Sequence, residues 1–574
     1  MYDNASVVNC VNKANLTGAS SVGGIAGTFD NASHVTLTKS GNEGIIKGNA
    51  TSAYVGGLVG TAMPSTISEC YNSGTVTVNT PASQSFAAGL IGFASGIKDA
   101  APYEITNCTN SGAITAKSGA AGIVSNVHAT LTYTTLHITG CTNSGKITAV
   151  GTANTSNTAN AGIAALLTPG AEIRDCHNTG DIDVAVNANT AGIVGYARTA
   201  ATAAAPINIE GCTNSGNIVA KSYYVGGIMS NVAAYTYIDN CANYGSVAAA
   251  GAVTASYGVG GITGALTNVN ASVTNCSNLG AVSGTNRVGG IVGMNAQKAK
   301  ITDCWNGGDI SSTSTTQGVT TSSGYGIGGV AGQGSSIMTR CYNVGTVKGV
   351  SRVGGVAGAT TKNNTQLINC YNAGRIEAPA DSCGNLVGVK FENNGTVWNS
   401  GNAITDCYYV TDFGVFDNTA DLGTPVTMAQ LAKTDLGDEW VIPADYSLPV
   451  VKVFENDDAA MLYSAAVIVV PVNSYDDVTT DFNVGTPGGV RWSTPVEAIT
   501  FDGNAAIFNT PYTGPVELTA TLGDMTRTFT LNANVVTTGI DDVNADDADA
   551  EYYNIQGLRV VNPEVGQIYI VRRG

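Results

Sequence analysis

The sequence predicts an all-β protein whose main body is a parallel β-solenoid of about twelve to thirteen coils. A heptapeptide, written CYNSGTV at residues 70–76, returns along most of the chain at spacings of 28 to 38 residues. A glycine-rich motif, written VGGLVG at residues 55–60, alternates with it. The apolar positions form short β-branched clusters without a helical period, and repeats of this length are typical of stacked architectures. We expect right-handed winding, the usual sense for connected parallel strands.

Each repeat is anchored by one residue of the heptapeptide. The anchors are Cys10, Ser40, Cys70, Cys108, Cys141, Cys176, Cys212, Cys241, Cys276, Cys304, Cys341, Cys370 and Cys407. The shortest units have room for three short strands and three corners. Longer units carry their extra residues between the two motifs, in outward loops such as residues 152–160 and 311–323. Because equivalent positions of successive coils lie ~4.8 Å apart, the stack should form a rod on the order of 60 Å long.

Two positions of the heptapeptide should face the core and form a structural ladder. The Cys and the Asn two residues later lie on the same side of a strand. Cys is a small apolar residue, and the Asn amides can hydrogen-bond from coil to coil. The predicted ladder comprises Cys70, Asn72, Cys108, Asn110, Cys141, Asn143, Cys212, Asn214, Cys341, Asn343, Cys370 and Asn372. We expect the Gly four residues after the anchor to provide a corner with positive φ, and the Gly-Gly pair to mark a corner or a close approach of backbone layers.

The cysteines allow two interpretations. The chain has 13 of them, and in a secreted protein they could form disulfides between neighbouring coils. A buried, reduced column explains the regularity better, because the copies occupy one column without a pairing pattern and Ser40 replaces one of them. A metal site is not predicted, since the anchors are a whole coil apart and the chain has only 4 His.

An aromatic residue follows the anchor in four consecutive late coils: Trp305, Tyr342, Tyr371 and Tyr408. These side chains should point outward, where a stripe of rings could contact a ligand such as a sugar. Alternatively, stacked aromatic rings stabilise the rod or dock the next domain. The sequence leaves both interpretations open.

Composition and charge exclude several classes of protein. Charged residues make up 12% of the chain, whose net charge is -17. After Cys407 come 24 acidic and 7 basic residues, a difference that equals the whole net charge. No basic face for nucleic acid is therefore expected, and no run of ~20 apolar residues predicts a transmembrane segment. The first residues already lie in a repeat and lack a secretion signal, so we expect a part of a longer protein or a chain that has lost its leader.

No set of residues predicts an active site or a cofactor. Polysaccharide-cleaving β-helices need clustered carboxylates or basic residues on one face. Here pairs such as Asp181/Asp183 and Asp303/Asp309 are scattered near turns. The VGGLVG motif lacks the Lys and the following helix of a phosphate-binding loop. The sequence therefore predicts a protein that is not an enzyme and binds no cofactor.

The pairing of VGGLVG with CYNSGTV resembles GLUG-motif repeats, and the resemblance covers residues 1–410. It implies a surface or secreted bacterial protein with a role in adhesion or scaffolding. Such repeats also occur in the stalks of some IgA-cleaving peptidases, and the resemblance brings no catalytic residues with it.

Three segments follow the repeats. Residues 411–458 break the period and resemble the cap of GLUG arrays, with a helical pattern in PVTMAQLAKTDLGDEW. Residues 459–537 alternate short strands with turns and resemble a bacterial Ig-like β-sandwich with Trp492 in its core. Residues 538–574 hold an acidic linker and a small β tail that resembles the C-terminal sorting tails of secreted Bacteroidetes proteins.

The predicted function is that of a non-enzymatic adhesin or scaffold, extracellular or attached to the outer membrane, which displays loops on a rigid solenoid. Its partner would be a glycan or protein of a host or a cell surface, and the chain would act as a monomer. One alternative is a carbohydrate-binding or polysaccharide-cleaving β-helix, which needs a groove with clustered carboxylates or aromatic rings. The other is the stalk fragment of a larger secreted peptidase.

Overall fold

The computed structural model has a parallel β-solenoid as its main body, followed by a two-stranded antiparallel pair, two small antiparallel sheets that pack together, and another small antiparallel sheet at the C-terminus. It describes residues 5–29, 34–49, 52–78, 84–96, 101–117, 119–128, 135–151, 158–197, 199–222, 224–249, 257–295, 299–314, 326–334, 336–360, 365–379, 383–390, 403–416, 423–471, 479–535, 551–553, 558–561 and 570–572.

Each coil of the solenoid contributes one short strand to each of five parallel sheets, which we number 1 to 5 in chain order. In the third coil the strands are Ser65–Ser68, Tyr71–Asn72, Val76–Val78, Gln84–Ala88 and Ile91–Ala94. Sheet 1 runs from strand Ala5–Val8 to strand Ala403–Thr405, and sheet 2 from Val11–Asn12 to Thr424–Val426. Sheet 3 runs from Leu16–Gly18 to Ile376–Glu377, sheet 4 from Ser21–Gly23 to Cys383–Gly384, and sheet 5 from Ala26–Thr28 to Val387–Lys390. They contain 13, 14, 12, 12 and 12 strands. The predicted number of coils is confirmed, but each coil holds five strands rather than three.

The sharp corner between sheets 1 and 2 lies one residue before the anchor. The backbone φ there is positive in every coil, for example 54° at Glu69, 50° at Asp175 and 64° at Gly140. Asn, Asp and Gly predominate at this position because they adopt the left-handed conformation at low cost. The prediction that the Gly four residues after the anchor supplies the positive φ was therefore wrong.

That later glycine is needed because successive coils approach each other closely. A Cβ atom on Gly74 would overlap the carbonyl oxygen of Gly44 in the preceding coil, and one on Gly112 would overlap that of Gly74. Only a residue without a Cβ fits at this distance. The heptapeptide thus keeps its glycine for stacking rather than for a turn.

The Gly-Gly pair marks a close approach of opposite walls of the solenoid. A Cβ on Gly57 would overlap the side-chain amide of Asn72, and one on Gly89 would overlap that of Asn110. This contact divides the interior into two apolar columns, one between sheets 1 and 5 that includes the anchor cysteines, and one between sheets 3 and 4. Of the two roles predicted for the pair, close approach is the one found.

The extra residues of long repeats lie at two places in the coil. One is between sheets 3 and 4, as predicted, and the other is between sheets 5 and 1, for example between Val124–Val127 and Leu136–Thr139. The two loops at residues 152–160 and 311–323 lie largely outside the described residues.

The segment after the coils continues sheet 2 and then turns onto its side. Thr424–Val426 pairs with Tyr408–Val410, and helix α1, Met428–Leu431, is capped by Thr427. The remaining elements are the antiparallel pair Trp440–Val441 and Val450–Val451, a 3₁₀ turn at Lys452–Phe454, and helix α2 at Asp458–Ser464. The predicted helix is only four residues long. After it the backbone bonds are of turn type, with the Lys433 N–H donating to the Gln430 carbonyl at 2.9 Å.

Two antiparallel sheets form the next module. One contains Val467–Pro471, Thr479–Val484, Ala505–Phe508 and Ile499–Asp502, and the other contains Arg491–Ser493, Tyr512–Leu522 and Met525–Val535, with a 3₁₀ turn at Pro487–Gly489. Side chains from both sheets, including Phe482 and Leu518, share one apolar cluster, so the module is a β-sandwich. Trp492 is half-buried at the edge of this cluster and donates a hydrogen bond to the Gly485 carbonyl at 2.7 Å.

The last described elements form a small antiparallel sheet of Glu551–Tyr553, Arg559–Val560 and Ile570–Arg572. Across the described ranges, none of the helices has the length and apolar character needed to cross a membrane.

Candidate functional site

A continuous chain of amide hydrogen bonds runs along the interior of the rod. Asn178 shows the pattern: its Nδ2 donates to Asn214 Oδ1 at 2.7 Å and to the Gly180 carbonyl at 2.9 Å, and its Oδ1 accepts from Asn143 Nδ2 at 2.7 Å. The same bonds join Asn12, Asn42, Asn72, Asn110, Asn143, Asn178, Asn214, Asn243, Asn278, Asn306, Asn343 and Asn372. We call each of these asparagines a rung of the ladder. Every rung therefore holds the next coil in register.

The anchor cysteines form a second column beside the amides. All 13 cysteines are free thiols, and all but Cys10 are buried. The Cys70 thiol donates to the Ser68 carbonyl at 3.2 Å, while its backbone N–H donates to Cys108 Sγ at 3.4 Å. Cys383 is not in this column: it lies on the inner side of sheet 4, beside Val353, so the expectation of a single column was wrong for it.

Burial shields the cysteine column from water, and its thiols differ in pKa. Loss of water on burial raises the pKa of the Cys241 and Cys304 thiols well above the usual value. Hydrogen bonds from the neighbouring thiols lower the pKa of the Cys108 and Cys176 thiols to about 4. At Cys241 and Cys304 the thiol is therefore favoured over the thiolate, which is the nucleophile and the metal ligand. The column contributes apolar packing, as a small buried side chain does.

The predicted aromatic stripe is not open to solvent. Trp305, Tyr342 and Tyr371 stack with ring centroids 5.7 and 4.9 Å apart, and each is at most 2% exposed. The expectation of a ligand-contact stripe is therefore wrong for these three residues. Tyr408, one coil further, is half-buried beside the strand Thr424–Val426.

The rings are covered by the segment that follows the coils. Trp440 lies 5.7 Å from Tyr342 and 5.6 Å from Tyr371, measured between ring centroids, and Tyr463 lies 5.6 Å from Trp305. The Tyr371 hydroxyl also donates to the Pro449 carbonyl at 2.6 Å. We call these five rings the aromatic dock. The segment predicted to close the end of the rod thus packs mainly against its side, because the large apolar area lies there.

Arg527 of the sandwich makes a second link at the same junction. Its guanidinium donates to the Tyr463 carbonyl at 2.6 Å and to the Val344 carbonyl at 3.4 Å, and it lies over the rings of Tyr463 and Phe529 at 5.0 and 4.5 Å. Desolvation lowers its pKa to about 10, so it is still charged at neutral pH. One side chain thereby joins the sandwich, helix α2 and the solenoid.

A cavity of about 610 Å³ opens beside Arg527, and we call it the junction cleft. Three parts of the chain line it: the late coils, the segment after them and the sandwich. The lining residues are Val344, Thr346, Ala373, Arg375, Glu377, Asp412, Phe413, Met428, Leu448, Ala465, Ala466, Val467, Arg527, Thr528, Phe529, Thr530, Leu531 and Asn532. Its size and its position between modules are those of a ligand site.

Sequence reasoning missed a second group of rings, on the outer side of sheets 4 and 5 in the second and third coils. Tyr54 stacks on Phe93 with centroids 4.4 Å apart and on Phe86 at 5.9 Å. Tyr54 and Phe93 are half-buried. The sequence contains the information that predicts this position. Tyr54 and Phe86 each precede an inward residue of the glycine-rich motif, and alternation along a strand therefore places their rings on the outer side.

Acidic side chains are distributed over many coils. Asp303, one of the carboxylates singled out above, is held in a two-pronged ion pair with Arg340 at 2.5 and 2.8 Å. Asp181 accepts the backbone N–H of Asn217 at 2.9 Å. Over the residues that the structure covers, His, Cys, Asp and Glu form no group of three or more that could hold a metal ion.

One of the comparisons with known proteins identifies the type of repeat. The family described as the GLUG motif matches residues 51–77, which contain one glycine-rich motif and the heptapeptide that follows it. No curated protein matches the chain. Among solved structures, a candidate immunoglobulin A1 protease from Bacteroides ovatus is 16% identical, with 50% of this chain and 87% of that chain covered and a TM-score of 0.29. At that TM-score, the likeness supports no conclusion about this chain.

Proposed function

We propose that this chain is a non-enzymatic scaffold or adhesin, a stiff rod that holds its loops and its C-terminal modules at fixed positions outside the cell. The carrying observation is the hydrogen-bonded ladder from Asn12 to Asn372. Thirteen stacked strands make a rod about 60 Å long. The aromatic dock then fixes the sandwich to the side of the rod instead of leaving it on a free linker. A stack of this kind suits display, because each coil contacts only its neighbours and leaves its outer face available.

The cellular setting is part of the same proposal. The GLUG match and the sandwich support an extracellular or outer-membrane-associated protein whose sandwich is an Ig-like spacer. The resemblance of residues 551–574 to sorting tails supports surface attachment and an origin in the Bacteroidetes. We propose that the chain acts as a monomer.

The proposal is tested by binding the full chain to an array of host-matrix proteins and cell-surface glycans. We expect saturable binding to at least one component, with no new reducing ends or peptide fragments released from it. Release of such products would overturn the non-enzymatic assignment, and the absence of any binding would overturn the adhesin assignment.

A carbohydrate-binding role is the second candidate, and the outward rings of Tyr54 and Phe93 favour it. The double variant Tyr54→Ser/Phe93→Ser should then lose glycan binding. The matched control is Tyr237→Ser, which removes a half-buried ring from the outer side of sheet 1. Equal binding by both variants would rule this candidate out.

A further inference from the structure

One wall of the junction cleft is the free edge of a strand. Met525–Val535 is the outermost strand of its three-stranded sheet and, among the described residues, pairs only with Tyr512–Leu522. The cleft touches six consecutive residues of this strand, 527 to 532. Successive side chains point to opposite faces of a sheet, so a cavity that touches all six runs along the edge. A strand edge offers unpaired N–H and C=O groups to another strand.

The cleft and its rim together carry one more positive charge than negative charges. Within the described ranges, neither Arg375 nor Arg527 forms an ion pair; the Arg375 guanidinium lies over the Phe413 ring at 5.2 Å. Of the acidic lining residues, Glu377 pairs with Lys348 at 3.0 Å. The other, Asp412, accepts the Met428 N–H at 2.8 Å and keeps its negative charge. With Lys348 counted, the groups are three cations and two carboxylates, a net charge of +1. The cleft is thus suited to an anionic group, in a chain whose net charge is -17.

The floor between these walls is apolar. Val344 and Ala373 from the late coils, Met428 from helix α1 and Ala466 before the sandwich are all buried and line it. A strand that paired with the free edge would turn alternate side chains towards this floor and the others towards the rim, where Arg375 is exposed. Apolar and acidic side chains in alternation match that arrangement.

We propose that the junction cleft binds an extended acidic peptide, which adds as a fourth strand to the edge Met525–Val535 and sets a carboxylate against Arg375. This mode of recognition draws affinity from main-chain hydrogen bonds and specificity from alternate side chains. The site goes beyond the proposed scaffold function, since it gives the junction a partner of its own.

The test is fluorescence anisotropy with the full chain and a labelled short peptide that alternates Val and Glu. We expect saturable binding that weakens as salt is added. The variant Arg375→Gln should bind about fivefold more weakly, as for loss of one exposed ion pair. Its exposed guanidinium leaves the fold intact, which circular dichroism checks. The matched control, Arg491→Gln, removes an exposed charge from the strand at the other edge of the same sheet and should bind as the parent does.

Two further peptides test the chemistry. A peptide that alternates Val and Lys should bind at least tenfold more weakly, because it meets the guanidinium groups with like charge. The Val/Glu peptide with alternate amides N-methylated should lose most of its binding, since it cannot complete the strand pairing. Equal binding by the methylated peptide or by Arg375→Gln, an equal loss in Arg491→Gln, or no binding of the Val/Glu peptide would each overturn the proposal.

Discussion

The amide ladder makes a specific prediction about stability at its middle. In Asn178→Ala, three hydrogen bonds disappear: those of the Asn178 side chain with Asn143, Asn214 and the Gly180 carbonyl, at 2.7, 2.7 and 2.9 Å. The bonds are buried, and the two neighbouring amides lose a partner without gaining water. The substitution therefore acts on three rungs at once.

The magnitude follows from the groups that are left unpaired. A buried polar group without a partner costs about 1 to 3 kcal/mol. Asn214 Oδ1 and the Gly180 carbonyl each lose the bond from Asn178. Asn143 Nδ2 keeps its bond to the Gly145 carbonyl and loses the other. Two groups without that partner give a loss of about 2 to 6 kcal/mol in the free energy of unfolding. The effect should spread to neighbouring coils, because their interfaces hold the array together.

The assay is urea unfolding of the full chain, followed by far-ultraviolet circular dichroism. The control is Asn12→Ala, at the half-buried first position of the ladder. Its side chain loses the bond to Asn42 Oδ1 at 2.7 Å and two exposed bonds with the Ala14 backbone at 2.9 and 3.2 Å, and water can replace them at this open end of the rod. We expect the control to cost about 1 kcal/mol or less. If Asn178→Ala were no more destabilising than Asn12→Ala, the ladder would not hold the coils together as argued.

Three further substitutions or treatments test other contacts. Gly112→Ala should lower the free energy of unfolding by about 3 kcal/mol or more, since the added Cβ meets backbone. Its control, Gly414→Ala, places the Cβ in open space and should cost only about 1 kcal/mol for the positive φ. Equal thermal stability of the two variants would contradict the close-approach argument. At pH 8 a thiol reagent should react rapidly with Cys10 alone in the native chain and with all 13 cysteines in urea, because every cysteine but Cys10 is buried out of its reach. Rapid native reaction of several thiols would refute the buried column. Trp440→Ala should lower the free energy of unfolding by about 3 kcal/mol. It should also shift the tryptophan fluorescence to the red as water enters the aromatic dock. An unshifted spectrum would show that the dock does not depend on this ring.

The features that the sequence predicted are those that repeat. Parallel stacking repeats a local pattern in every coil, so alternation along one strand is enough to place Cys70 and Asn72 on the inner side. The number of coils follows from the number of anchors. The two glycine positions were recognised, but the role of Gly74 was misassigned, because its contact with the previous coil is visible only once the coils are stacked.

The features that the sequence did not predict depend on contacts far apart in the chain. Alternation places Trp305, Tyr342 and Tyr371 outside the coil, and that inference was sound. Whether an outward ring meets water or protein depends on Trp440 and its neighbours, which return to the side of the rod. The junction cleft is harder still to predict, since its lining comes from three segments and its free edge belongs to the sandwich. A pattern within one short segment of sequence cannot predict a contact among three separate segments.

The departures from the repeat support the physical reasons given for its motifs. In the first eleven coils the second residue of the pair is a glycine that faces the Asn of the next coil, as Gly355 faces Asn372. In the coil after Asn372, Tyr409 takes the place of the ladder Asn. The residue that would have faced this Asn is Asn385, which stands where the earlier coils have the glycine. With no amide to face, the glycine is not required, and the Asn385 side chain donates instead to the Phe416 carbonyl at 3.1 Å. The glycine is thus lost at the coil where its contact is lost, as expected if the contact rather than the turn explains the motif.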